Sequence, residues 1–245
     1  MFREQIDAYL KKFGFEKWQP KAVLFDMDGV LYDSMPFHAY SWHKSMGLFG
    51  IEMSQEEAYM HEGMRGVETI KQVVRRRRGV DISDEVSRRM YAEKSRIFAT
   101  CPEAPMMEGV HELQEMLKAA GLKIVVVTGS GQRSLLSKLK RDFAGLITDD
   151  MIVSCFDVTR GKPDPMPYLV GMGKANTQPW ESIVVENAPL GVRAAVAAKI
   201  FTIAVNTGPL PDQMLLQEGA NLIFPKMTML RDSISDILRE ADSPQ

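Results

Sequence analysis

Short, continuously apolar runs alternate along this chain with segments whose apolar residues recur at helical spacing. The runs are "KAVLF" from residue 21, "KIVVVTG" from 123, "MIVSCF" from 151, "SIVVEN" from 182 and "FTIAVNTG" from 201. A weaker one, "ANLIF", starts at 220. Runs of this kind, without polar alternation, predict strands buried on both faces of a parallel sheet. Helical patterns such as "GVHELQEMLKAAG" lie between them, each able to cover a face of that sheet. The pattern therefore predicts an α/β fold, a Rossmann-like three-layer core around a parallel sheet.

The rhythm breaks between residues 35 and 105. That stretch has no convincing buried strand but four helical segments, from "PFHAYSWHKSMGLF" to "DEVSRRMYAEKSRIF". It predicts an all-helical cap inserted after the first strand. The core then comprises residues 20–34 and 106–245, preceded by a helical extension over 1–19 with an amphipathic helix at 3–13. No internal repeat or low-complexity tract complicates this division.

Composition narrows the function classes. A chain of 245 residues, 45 % hydrophobic and 25 % charged, is that of an ordinary globular protein. A net charge of −2 gives no reason to expect nucleic acid or an anionic membrane as partner. No apolar run approaches the roughly 20 residues that span a bilayer, and the charged N-terminus lacks the pattern of a signal peptide. Cys101 and Cys155 suit neither a disulfide framework nor a zinc site. The expectation is a cytoplasmic monomer with reduced thiols and a small molecule as its partner.

In open parallel sheets, ligands bind beyond the carboxyl ends of the strands, so the polar residues following each run matter most. Asp26 and Asp28 leave the first run two residues apart, on one side of extended backbone, where one can act as nucleophile and the other move a proton. Gly29 lets the chain turn tightly beside a ligand. Thr128, Gly129 and Ser130 bring a hydroxyl and backbone N–H groups to a helix start, an anion site. Lys162, between Gly161 and Pro163, is a compact fixed charge for a phosphoryl oxygen. Glu186 and Asn187 end the fourth run. His43, His61 and His111 have no ligand spacing, the Arg75–Arg78 run reads as a solvated helix face, and the 17 methionines read as core filler.

"FDMDGVLYDS", "VVVTGS", "GKPDP" and "VVENAPLGV" together resemble the four ordered motifs of the haloacid dehalogenase superfamily, over residues 22 to 225. The insertion after the first motif resembles the cap of the β-phosphoglucomutase-like subgroup. The resemblance implies that Asp26 attacks phosphorus to give an aspartyl-phosphate, and that Asp28 protonates the leaving group and then activates the acceptor. It implies Thr128 and Lys162 on the transferring phosphoryl group of a small phosphorylated substrate. Mg²⁺ is expected on Asp26, the backbone carbonyl of Asp28 and the last motif, Glu186 with Asn187. His38, with Trp42 one turn on, stands where sugar-phosphate mutases of the subgroup place a cap-hinge histidine that assists proton transfer.

Asn187 stands where the resemblance leads one to expect a metal-binding Asp, so the site is one negative charge short. Glu62, in the cap-loop segment "YMHEGMRG", can supply that charge when the cap closes. This pairing resembles the inorganic pyrophosphatase members of the subgroup. Arg65 is close to the position of an Arg that grasps the far phosphate in the mutases. The favoured expectation is a Mg²⁺-dependent phosphohydrolase with pyrophosphate as substrate. The alternatives are a β-phosphoglucomutase-type isomerase and a catalytically weak phosphate-binding regulator, the last disfavoured because both aspartates are retained.

Overall fold

Six apolar runs become six strands of one sheet in a computed structural model that describes residues 2–131 and 133–242. They are β1 (Ala22–Phe25), β2 (Lys123–Val127), β3 (Ile152–Val153), β4 (Ser182–Glu186), β5 (Phe201–Val205) and β6 (Leu222–Phe224). All pairings are parallel, in the order β3-β2-β1-β4-β5-β6. β3 is only two residues long because the chain turns at Ser154, whose N–H and hydroxyl both donate to Asp157 at 2.8 Å. From β1 the chain moves outward through β2 and β3, then returns to β4 on the other side of β1. That reversal opens a crevice at the carboxyl ends of β1 and β4.

Successive strand residues feed two different cores, which is why the runs do not alternate with polar residues. Val23, Phe25, Val126, Val185 and Ile203 join one face, covered by α1 (Arg3–Phe13), α6 (Val110–Ala119), α7 (Arg133–Asp142) and α11 (Met227–Asp242). Leu24, Val125, Val127 and Val184 face the other side, beneath α8 (Met166–Ala175) and α9 (Pro189–Ala197). Truncating any of the larger of these side chains to Ala should cost about 2–5 kcal/mol. The N-terminal extension is part of the first face. The Tyr9 ring packs edge-on against Phe201, and its hydroxyl lies 3.1 and 3.0 Å from the carbonyl oxygens of Pro179 and Lys199.

Residues 35–98 form α2 (Met35–Leu48), α3 (Gln55–Met60), α4 (Gly66–Arg78) and α5 (Asp84–Phe98), which pack on a core of their own around Met46, Ile70, Val73 and Met90. The chain crosses between this lobe and the sheet at two adjacent points. Asp33 N–H donates to Pro105 O at 3.0 Å and Met107 N–H to Leu31 O at 2.9 Å, so the crossings are bonded to each other. The arginine run lies on an exposed helix face, as expected, and its side chains also reach neighbouring elements. Arg77 donates to Glu57 at 2.8 Å, Arg78 to Phe49 O at 2.6 Å, and Arg75 pairs with Asp81 at 3.0 Å, pinning the end of α4 to its neighbours. Among the described residues no helix is long and apolar enough to cross a membrane.

Candidate active site

β1 and β4 end side by side and deliver Asp26 and Glu186 to the floor of the crevice, with Lys162 between them. The Lys162 ammonium donates to Asp26 Oδ1, to Glu186 Oε1 at 2.7 Å and to Val127 O at 3.1 Å. All three side chains are nearly sealed from solvent. Burial would lower the lysine, but Asp26 and Glu186 outweigh it and hold Lys162 above its ordinary range, fully charged. Asp26 is pushed up to about 7, chiefly by burial, with Lys162 opposing and Glu186 and Asp28 adding to the rise.

Both carboxylate oxygens of Glu186, expected among the metal ligands, are engaged in hydrogen bonds. Oε1 accepts from Lys162 and from the Tyr168 hydroxyl at 2.8 Å. Oε2 accepts from the backbone N–H groups of Asn187 and Ala188 at 2.9 and 3.1 Å, fixing the turn that leads from β4 into α9. The side chain holds Lys162 and shapes the turn that follows β4.

Asp28 faces the helical lobe. Its Oδ1 accepts from Ser34 Oγ at 2.6 Å and lies 3.2 Å from His38 Nε2. Ser34 precedes α2, and its hydroxyl goes to Asp28 rather than capping that helix. His38 Nδ1 lies 2.7 Å from the Lys94 ammonium, which can only donate as a charged group. These partners assign the His38 proton to Nε2, pointing at Asp28. Lys94 is 1 % exposed, over the rings of Phe98, Trp42 and Tyr91. Burial lowers it to about 7. Burial and Lys94 also lower His38, whereas Asp28 sits below its usual range because His38, Ser34 and Lys94 together outweigh its burial.

Glu62 reaches the crevice from the loop after α3. It is buried, and its Oε1 accepts from Asn187 Nδ2 at 3.0 Å. Burial, Asp26 and Glu186 push its carboxyl well above the usual range, so the group is short of positive charge. Gly29 lies below with φ +81°, and a Cβ there would stand 1.9 Å from Asn187 Nδ2, so only glycine fits. Among the described residues no three His, Cys, Asp or Glu side chains form a metal cluster. The donor set is mixed instead. Asp26 Oδ2 and Asn187 Oδ1 are both buried without any hydrogen-bond partner, beside the Glu62 carboxylate. Two orphaned oxygens and a buried acidic side chain bonded to one of the two residues fit a hard divalent cation.

Thr128 is buried at the end of β2, its Oγ1 accepting from Ser130 N–H at 3.0 Å, so that N–H is not open to an anion. Gly129 and Ser130 do line the cavity, about 60 Å³ in volume, with Asp26, Asp28, Glu62 and Lys94 around it. Arg65 does not line it, and the expected substrate contact is corrected: its guanidinium donates to Thr159 O at 2.6 Å and lies 3.6 Å from Glu68. Two further residues at the crevice were not evident from the sequence, and a third, His61, is set aside there for want of ligand spacing. Lys94 had a signal, since Ser87, Met90, Lys94 and Phe98 form the buried stripe of α5 and a lysine sits in the middle of it. Tyr168, six residues after Lys162, had none, and His61 is buried in the cavity lining without any ligand spacing to mark it.

The haloacid dehalogenase-like hydrolase family matches residues 23–205, and the chain belongs to it. Hexitol phosphatase A of Escherichia coli is 31 % identical over 186 residues, 76 % of this chain and 83 % of its own length. The β-phosphoglucomutase of Bacillus subtilis is 24 % identical over 77 % of this chain and 84 % of its own length. A solved structure from Bacteroides vulgatus, assigned provisionally as a β-phosphoglucomutase, superposes with TM-score 0.95 at 49 % identity, covering 99 % of this chain and 98 % of that one.

Proposed function

We propose that the protein is a Mg²⁺-dependent phosphohydrolase that works through an aspartyl-phosphate, with pyrophosphate as its preferred substrate. The observation that carries this reading is the contact of Glu62 with Asn187 beside the two unpartnered oxygens, Asp26 Oδ2 and Asn187 Oδ1. Asp26, Asn187, Glu62 and the backbone carbonyl of Asp28 would hold Mg²⁺, which neutralises charge on the phosphoryl oxygens. In this reading Asp26 forms the new O–P bond as the bond to the leaving oxygen breaks. Lys162 and Thr128 hold the equatorial oxygens of the group in transit. The leaving oxygen takes a proton through Asp28, which His38 Nε2–H and the Lys94 ammonium behind it can resupply. Asp28 then removes a proton from the water that cleaves the acyl phosphate.

Two features favour a small, highly charged substrate. The closed lobe leaves a cavity of about 60 Å³, room for only a few waters. Arg65 points to Thr159 rather than to a distal phosphate. The second reading, a sugar-phosphate phosphatase or β-phosphoglucomutase-type isomerase, draws on the names of the relatives and requires the lobe to open. Both keep the same nucleophile. Initial rates of phosphate release from pyrophosphate, hexitol phosphates and hexose phosphates with Mg²⁺, beside a coupled mutase assay, separate them. A kcat/KM for any sugar phosphate above that for pyrophosphate removes the preferred reading.

A further inference from the structure

Arg65 crosses from the helical lobe to the sheet domain without touching the cavity. Its Nη1 donates to Thr159 O at 2.6 Å, and its aliphatic stem lies on Gly161. A Cβ at Gly161 would stand 2.6 Å from Arg65 Cγ and 3.2 Å from Arg65 N, so the loop before Lys162 accepts the arginine only because position 161 has no side chain. Two residues earlier, Gly63 at φ +80° lies over the stem of Lys162, where a Cβ would be 2.8 Å from Lys162 Cδ. Glu62 precedes it and faces Asn187. One stretch of four residues, 62–65, thus carries the cap carboxylate, covers the catalytic lysine and is tied down by Arg65.

We infer that Arg65 is a positioning residue: a latch that couples seating of Glu62 over the crevice to burial of Lys162. The charge-assisted bond to Thr159 O forms only when the lobe is seated, so it raises the population of the closed state before substrate arrives. A ligand that binds the closed state then binds more tightly by the factor by which the latch enriches it. This inference rests on the phosphotransfer reading of the site, though not on the choice of pyrophosphate.

The test compares the wild type with Arg65→Ala, Arg65→Lys, Gly161→Ala and the Arg65→Ala/Gly161→Ala double variant. Arg65→Ala is expected to raise KM and the Mg²⁺ concentration at half-maximal rate by roughly threefold to twentyfold, with kcat reduced less than about threefold. Arg65→Lys, still able to donate to Thr159 O, should recover part of the loss. Gly161→Ala should reproduce it, and the double variant should not add the two effects. Hydrogen exchange on the ligand-free proteins reads the latch without turnover: amides of residues 62–66 should exchange faster in Arg65→Ala. If exchange and KM both stay within twofold of wild type, the latch is wrong. If kcat collapses at unchanged KM, Arg65 acts on the transferring group and the inference is equally overturned. Faster exchange in a protein whose wild type releases no phosphate from any substrate upholds the latch and sinks the proposed function alone.

Discussion

Two lysines of this protein are each 1 % exposed, yet burial treats them in opposite ways. Lys162, on the floor of the crevice, lies between the carboxylates of Asp26 and Glu186 and is held above its ordinary range. Lys94, in the wall formed by the helical lobe, faces three aromatic rings and a histidine nitrogen and falls to about 7. The difference lies in what each ammonium exchanges for water. Full carboxylates restore the lost solvation; ring faces and one neutral acceptor restore only part of it. The floor therefore offers a permanent charge for binding, and the wall a proton that can leave near neutral pH.

Breaking the floor should have the largest consequence. Lys162→Met strands Asp26 and Glu186 without their counter-charge, so it should destabilise the fold by about 3–5 kcal/mol near pH 7. Turnover should fall by about 10⁴-fold or more, as for a member of an interdependent catalytic set. Asp26 already titrates at about 7 in the folded protein against 3.8 unfolded, a raised carboxyl whose protonated form is favoured by folding. Its contribution is fully present below 3.8 and lost as pH rises through 7. The variant should raise Asp26 further, so its deficit should shrink on acidification. Denaturant titrations at pH 5 and pH 8 measure both parts, and equal deficits would contradict the assignment.

The same substitution in the wall should act the other way. Lys94→Met fits an apolar ring cage and should stabilise the fold by roughly 1–4 kcal/mol at pH 7, while slowing turnover by removing the proton source behind His38. The sign follows from linkage. The lysine is at about 7 folded and 10.5 unfolded, so the unfolded chain binds more protons between those values. Wild-type stability should therefore rise with pH across that window, the full cost being present below 7. The Met variant should lack that slope. A parallel slope in both proteins would place the lysine's titration elsewhere.

A smaller effect is expected where lobe and floor meet. Glu62→Gln should weaken Mg²⁺ binding and turnover by about 10–100-fold with the fold intact, and Asn187→Asp should restore part of it in the double variant. A Mg²⁺ titration identical to wild type would leave Glu62 a mere neighbour of Asn187. Smallest is Tyr168→Phe, which removes one donor from Glu186 Oε1 at a cost of about 1 kcal/mol. Thermal unfolding of the variant checks that size.

The floor was more legible in the sequence than the wall. Asp26, Asp28, Thr128, Glu186 and Asn187 are found because a buried parallel strand announces itself as an apolar run, and the residue that follows must stand at the ligand end. Lys162 stands out between its glycine and proline. Lys94 is harder, because a lysine among "RRMYAEKSR" looks like one more surface charge unless the buried stripe is followed through it. Arg65 was read in the right neighbourhood with a different contact. Which way a long side chain turns depends on acceptors distant in sequence, such as Thr159 O, and strand periodicity carries no record of them.

The bonded crossings at Asp33–Pro105 and Leu31–Met107 have a consequence for modularity. Where the chain leaves the sheet domain and where it re-enters are already one hydrogen bond apart, so the sheet domain needs only a tight turn at that point, not a lobe. Any helical module whose own ends meet can be spliced in there without altering strand register. What covers the crevice can thus be exchanged as a cassette, through a doorway two strands of backbone wide, while Asp26 behind it stays in place.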